Sequence, residues 1–192
     1  DFGFSKTSDE TFQIWGKEQI LADAVWVIRN FRPDVIITRF PEDARAGHGQ
    51  HAASAIIARE AFSAAADPSR FPDQLKFVKP WQAKRLLWNT FNFGGTNTTS
   101  EDQLKIDVGV FNPLLGKSYG EIAAESRSNH KSQGFGSARQ RGEALEYFSP
   151  VAGDVARQDI FEGIDQSWGR IKGGKEIGNL IKQTDENFKP EN

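Results

Sequence analysis

Between Ser5 and Asn30 the apolar residues Ile14, Trp15, Ile20, Leu21, Ala24, Val25 and Ile28 recur near 3.6-residue spacing, with Ser8 or Asp9 as N-cap. That pattern predicts one opening helix. Arg32-Pro33-Asp34 ends it, because proline lacks a backbone donor and restricts the residue before it. The run Val35-Ile36-Ile37-Thr38 is β-branched and apolar on both faces, the pattern of a central strand in a parallel α/β sheet. A polar stretch from Pro41 to Gln50 follows, and His51 to Ala66 is then a second, alanine-rich helix closed by Asp67-Pro68. In open α/β sheets, ligands bind at that end of a strand.

Further along, Phe71 to Pro80 reads as a loop, Lys84 to Thr90 as a strand, and Gly94 to Thr99 as a polar loop without phosphate-loop spacing. Leu104 to Phe111 is a further strand, Tyr119 to His130 a helix, and Tyr147 to Val151 a last short strand. From Asp159 onward, Phe161, Ile164, Trp168 and Ile171, then Ile177, Leu180 and Ile181, predict two C-terminal helices split by Gly173-Gly174. The tail from Asp185 to Asn192 is expected to be loose. The expected architecture is a three-layer α/β, Rossmann-like domain over residues 1–158 with a mostly parallel sheet, then a helical extension over 159–192.

The 192 residues amount to one domain. Having no cysteine, the chain excludes a disulfide scaffold, a thiolate nucleophile and any cysteine-based metal cluster. With 24 basic against 26 acidic side chains the net charge is −2, which argues against a dedicated nucleic-acid binder. Apolar runs are only a few residues long, so no segment is expected to span a bilayer. The first residue is Asp1 and no methionine occurs, so the start of translation is expected upstream.

Of the three histidines, His48 and His51 sit three apart in Gly47-His48-Gly49-Gln50-His51, on one face of a helix start. Paired neutral imidazoles suit a divalent metal such as zinc, and the flanking glycines let a substrate approach the backbone. Two ligands do not complete a catalytic zinc site, which usually takes three and an open water position. Glu42 and Asp43 are candidates by proximity, and His130 by chemistry. The plainer alternatives are exposed loop histidines, a helix cap at His48, solvated loop acids, and a helix-end charge at His130. Trp81, Trp88 and Trp168 either stack on sugar rings or pack the core. Arg139 and Arg141 are either a solvated face or a seat for an anionic group. No Gly-x-Ser-x-Gly and no Gly-x-Gly-x-x-Gly after a strand occurs, which disfavours a serine hydrolase and a dinucleotide enzyme.

The stretch Arg32-Pro33-Asp34-Val35-Ile36-Ile37-Thr38 with Gly47-His48-Gly49-Gln50-His51-Ala52-Ala53 resembles the second motif of the PIG-L or LmbE-like zinc-dependent N-acetylglucosaminyl de-N-acetylases. His130-Lys131-Ser132-Gln133 resembles that family's H-x-S-Q segment. Phe111-Asn112-Pro113, Tyr119-Gly120-Glu121 and Ser132-Gln133-Gly134-Phe135-Gly136 are similar to its longer bacterial members. The resemblance runs across most of residues 10 to 170. It implies His51 as a zinc ligand, His48 as the group that stabilises the oxyanion or protonates the leaving amine, and His130 near the substrate, an N-acetylated amino sugar. The products would be acetate and a free amine.

One departure is large. The family's first motif, Ala-His-Pro-Asp-Asp, supplies two zinc ligands and the general base, and it is absent here. The resemblance therefore implies a C-terminal portion of a longer enzyme, lacking the first strand and inactive by itself. The competing expectations are a catalytically silent carbohydrate-binding or scaffold domain and a metal hydrolase acting on another amide.

Overall fold

A computed structural model describes residues 2–134 and 136–188, apart from the side chains of Phe93 and Gln133. The predicted opening helix is two. Helix α1 spans Ser8–Trp15 and α2 spans Lys17–Phe31, with Gly16 between them at φ +74°. That conformation costs glycine little and other residues much, so the chain turns there without a proline. Neither predicted N-cap is used: the Thr7 hydroxyl accepts from the Glu10 N–H at 3.2 Å. Arg32, in the left-handed region at φ 58°, ends α2 before Pro33.

Strand β1 is Val35–Thr38, the predicted run, but it lies at an edge of the sheet and not at the expected central position, because apolar patterning reports burial and not strand order. Helix α3, Gly49–Ala64, starts two residues earlier than expected, with His48 at the N-cap position but making no side-chain capping bond. After a short 3-10 segment at Pro72–Lys76 the chain enters β2, Arg85–Thr90. Beyond it come a small hairpin, β3 Asn92–Phe93 with β4 Thr96–Asn97, then β5 Leu104–Asp107. A second hairpin joins β6 Phe111–Asn112 to β7 Lys117–Ser118, followed by α4 Tyr119–Ser128 and the nine-residue β8, Leu145–Gly153.

The main sheet has the order β1-β2-β8-β5. Here the expectation of a mostly parallel sheet needs correction: β1 and β2 pair in parallel, while β8 pairs antiparallel with both β2 and β5. Helix α3 is the crossover that lets β1 and β2 run the same way. Apolar patterning marks which face of a strand is buried, and it is silent on direction. β8 is no short terminal strand either. It lies between β2 and β5 and accommodates Pro150, which has no N–H to donate, through a register shift opposite Leu86 and Leu87.

Helices α2 and α3 pack together through Leu21, Val25 and Ile28 against Ile57, Ala61 and Ala64, each set at helical spacing. Phe62 of α3 meets Leu86 and Ile36 on one face of the sheet. On the other face Leu87 and Phe148 pack with Ile160, Val35, Leu104 and Ile106. Arg29 is fully buried at the α2–α3 contact, where burial pushes its pKa down and Asp67 raises it. Its guanidinium donates to the carbonyls of Ala64, Ala65, Asp67, Arg70 and Phe71 and to the Gln74 side chain at 2.8–3.2 Å.

The chain divides into two compact units, Asp1–Ile160 and Phe161–Asn192. In the second, the expected first helix is only a 3-10 turn at Trp168–Arg170. It precedes α5, Gly174–Asn187, against whose Gly178 the Trp168 ring packs. Helix α5 therefore takes in part of the tail expected to be loose, whose last four residues lie outside the described ones. Among the described residues no helix is long and apolar enough to cross a membrane.

Candidate functional site

The polar segment after β1 and the first turn of α3 bring His48 and His51 together. Their rings stack with centroids 4.9 Å apart at 13°, and Phe40 stacks on the other face of His51 at 3.8 Å and 3°. Phe4 meets the His48 ring edge-on at 4.7 Å. The His51 Nδ1 lies 3.0 Å from the Ala46 carbonyl, and a carbonyl only accepts, so Nδ1 carries the proton. In the neutral ring the lone pair of His51 is then on Nε2, the arrangement seen when a histidine is oriented to ligate.

Both histidines line a cavity of about 530 Å³ together with Arg39, Phe40, Arg45, Ala46, Gly47, Phe91, Gly94 and Thr96. The cavity lies beyond the C-terminal ends of β1 and β2 and is flanked by the β3–β4 hairpin, in the position at which α/β sheets take ligands. Of its residues, sequence reading singled out only the histidines and Gly47. Arg39, Phe40 and Phe91 follow directly on strands, and that placement at a strand's C-terminal end was the available signal.

The residues between the histidines fix the site's other side. Gly49 N–H donates to the Ser5 carbonyl at 2.9 Å, and a Cβ on Gly49 would lie 2.2 Å from the Thr7 carbonyl oxygen. The Gln50 Oε1 accepts from the Ser5 N–H at 3.2 Å and the Ser5 hydroxyl at 2.7 Å, while its Nε2 donates to the Gly3 carbonyl. Residues 3–7 are thereby strapped across the start of α3, which carries Phe4 onto His48.

The other candidates stand outside that cavity, although Glu42 and Asp43 line a smaller adjoining one with His48. Glu42 is ion-paired to Arg59 at 2.6 Å. Asp43 is bound by Arg45 through Nε and Nη2 at 2.6–3.1 Å, and that guanidinium holds its carboxyl below the usual range. Neither acid lines the cavity with the two histidines. His130 stands exposed at the end of α4 with Nδ1 donating to the Ser126 carbonyl at 3.2 Å, and it is absent from the cavity lining. Phe135 of the segment after it lies outside the described residues. Arg139 and Arg141 pair with Glu125 at 3.0 Å and Glu121 at 2.9 Å. Trp81 is a packing residue, donating to the Pro33 carbonyl at 2.7 Å beneath the Arg32 guanidinium. Trp88 lies under Arg45 and beside Phe91, and Trp168 belongs to the second unit.

Zinc fits this constellation only in part. His51 has the correct tautomer, but among the described residues no group of three or more histidine, cysteine or carboxylate side chains converges. A complete zinc site needs more than these residues supply.

Over 83 residues, 42% of the chain, the sequence is 32% identical to the 1D-myo-inositol 2-acetamido-2-deoxy-alpha-D-glucopyranoside deacetylase of Geodermatophilus obscurus, and the match covers 27% of that protein. The matched stretch thus spans about a quarter of the curated relative's length. No family model matches the chain. No solved structure matches it. The chain carries a segment similar to a sugar deacetylase.

Proposed function

We propose that this chain is part of a metal-dependent deacetylase that removes the N-acetyl group of an N-acetylglucosamine-type substrate. The observation that carries the reading is the His51 ring, held through Nδ1 by the Ala46 carbonyl with Nε2 free, stacked on His48 in a cavity beyond the strand ends. The partial similarity to a glucopyranoside deacetylase supports the same substrate class. A bound zinc would polarise the amide carbonyl and lower the pKa of a water ligand. His51 offers it one nitrogen, and the remaining ligands and the base would come from outside these residues.

The chain's own part in the reaction is orientation and proton delivery. Water adds to the amide carbon, the C–N bond breaks, and acetate and an amine leave. In its protonated form His48 donates to the developing oxyanion or to the departing nitrogen. Phe40 and Phe4 confine the two rings from opposite ends of the stack. The free edge of β1 supports a larger sheet in the intact polypeptide, with an added strand beside it.

Two measurements test this. Titrating zinc into the 192-residue chain should give weak binding that His51→Ala abolishes, and tight stoichiometric binding would show that the site is misassigned. The intact polypeptide should release free amine from N-acetylated amino sugars and lose at least about a hundredfold in rate in His48→Ala, in keeping with general acid–base contributions. A silent carbohydrate-binding domain is the alternative, favoured by the lack of further ligands beside His51 among the described residues. Sugar binding with no amine release by the intact polypeptide would establish it.

A further inference from the structure

The β6–β7 hairpin holds its apolar side chains out to solvent. Among the described residues Leu114, in its turn, is 94% exposed, and Val110, Phe111, Leu115 and Tyr119 are each more than half exposed. The backbone beneath those side chains needs no water to satisfy its donors. Pro113 has no N–H, the N–H groups of Leu114 and Leu115 donate to the Asn112 Oδ1 at 3.0 and 3.2 Å, and that of Gly116 donates to the Asn112 carbonyl at 2.9 Å. Asn112 is held in turn, its Nδ2 donating to the Tyr119 hydroxyl at 3.2 Å. A turn built this way can leave water at lower cost than one with orphaned N–H groups, each of which would have to be desolvated without a partner.

Basic side chains stand beside this turn. Residues 108–144, between β5 and β8, carry five basic and three acidic side chains, in a chain whose net charge is −2. Lys117 and Arg139 share the Glu125 carboxylate at 2.7 and 3.0 Å, and Arg141 meets that of Glu121 at 2.9 Å. Three cations thus meet two carboxylates, and in each pair the cation is the more exposed partner. Lys117 belongs to the hairpin itself, and Arg141 lines a small cavity with Phe111 and Gly116. An apolar projection with a basic flank suits an anionic bilayer. The apolar side chains enter the boundary between headgroups and acyl chains, while lysine and arginine stay hydrated among the lipid phosphates. A protein partner fits less well, because interface cores are depleted in lysine. We propose that the β6–β7 hairpin docks the chain on an anionic lipid surface, with Leu114 and Leu115 inserted and Lys117, Arg139 and Arg141 at the headgroup phosphates. No part of this rests on the deacetylase reading.

The test is co-sedimentation of the 192-residue chain with vesicles of phosphatidylcholine alone and of phosphatidylcholine mixed with phosphatidylglycerol. The anionic vesicles should bind at least about ten times more tightly than the neutral ones, and the preference should shrink as salt is added. Leu114→Asp/Leu115→Asp should abolish binding, and Lys117→Gln/Arg139→Gln/Arg141→Gln should bring the anionic vesicles down to the neutral level, with thermal midpoints recorded to confirm folding. Should either variant not fold, a second measurement leaves the ion pairs intact. Because the chain has no cysteine, an environment-sensitive dye attached through Leu114→Cys reports on the turn alone. Its emission should move to the blue with anionic vesicles, and that of the same dye attached through Val27→Cys, at an exposed position on α2, should not. The proposal is overturned by no binding, by equal binding to both vesicles, or by binding that survives Leu114→Asp/Leu115→Asp. A dye at position 114 that does not respond, or one at position 27 that responds as strongly, overturns it as well. Self-association without vesicles that Leu114→Asp/Leu115→Asp abolishes would make a second copy of the chain the occupant, and would also overturn it.

Discussion

Gly49 sets two residue-scale effects against each other. In a helix, alanine is favoured over glycine by about 1 kcal/mol. A Cβ at this position would lie 2.2 Å from the Thr7 carbonyl oxygen and 2.5 Å from the Ser5 hydroxyl oxygen, and the nearer obstacle is backbone. Overpacking against atoms that cannot swing away costs about 1–3 kcal/mol, so Gly49→Ala should be destabilising overall, read as a lower urea midpoint. A raised midpoint would show that residues 3–7 are not fastened there. Arg29 is a second such residue. Replacing it with methionine keeps the volume but orphans the carbonyls at the end of α3, and we expect a loss of about 3 kcal/mol or more in equilibrium unfolding. The histidine pair was legible in the sequence because its members are three apart and share a turn. Arg29 was not, since only the fold gathers the five carbonyls that make a buried guanidinium tolerable.

Elements were legible wherever local pattern decides them. Val35–Thr38 is a strand on its own composition, and α3 is bounded within two residues by its alanine-rich run. The break between α1 and α2 was not, because a single glycine is tolerated in a helix and nothing local announces that Gly16 adopts a positive φ. The extent of β8 depends on partners on both sides and on a bulge that accommodates Pro150, neither of which is local. Helix α4 gives a prediction at this scale. Its capping box joins Ser118 and Glu121, and Arg141 closes on the Glu121 carboxylate. The hydrogen bond from Arg141, then that from the Ser118 backbone, lowers the Glu121 pKa. A carboxylate with a lowered folded-state pKa stabilises fully above its unfolded value, about 4.3, and loses that contribution as pH falls through the lowered one. The thermal midpoint should therefore drop more steeply below about pH 4.3 in the unaltered chain than in Glu121→Gln. Parallel pH profiles would show that the box carries no linkage. The strap at α3 makes a companion prediction: Gln50→Ala should free residues 3–7, seen as faster proteolysis there and loss of the Phe4 ring-current shift on His48, with no change at α4.

For the whole molecule, the sheet is asymmetric in a way that governs how the chain behaves alone. Its central strands β2 and β8 are paired on both sides, β1 and β5 are its edges, and among the described residues no strand pairs with the outer side of β1. Natural edge strands are protected by lysine, proline, bulges or extreme shortness. β1 has neither charge nor proline, pairs with β2 without a bulge, and presents Ile37 at 47% exposure. A segment with that composition reads as an interior strand, as its sequence pattern predicted, yet it occupies an edge. Two consequences follow for the chain as it stands. Backbone amides of β1 should exchange with solvent faster than those of β2, because the edge strand frays without opening the rest of the sheet. The chain should also associate with rising concentration through this edge, and Ile37→Lys, which places a charge on the exposed strand, should keep it monomeric in sedimentation velocity at concentrations where the unaltered chain is not. Supplying an added strand as a separate peptide should have the same effect as the lysine on association and the opposite effect on exchange, slowing the β1 amides to the level of β2. A monomeric chain whose β1 amides already exchange as slowly as those of β2 would mean that the edge needs no partner.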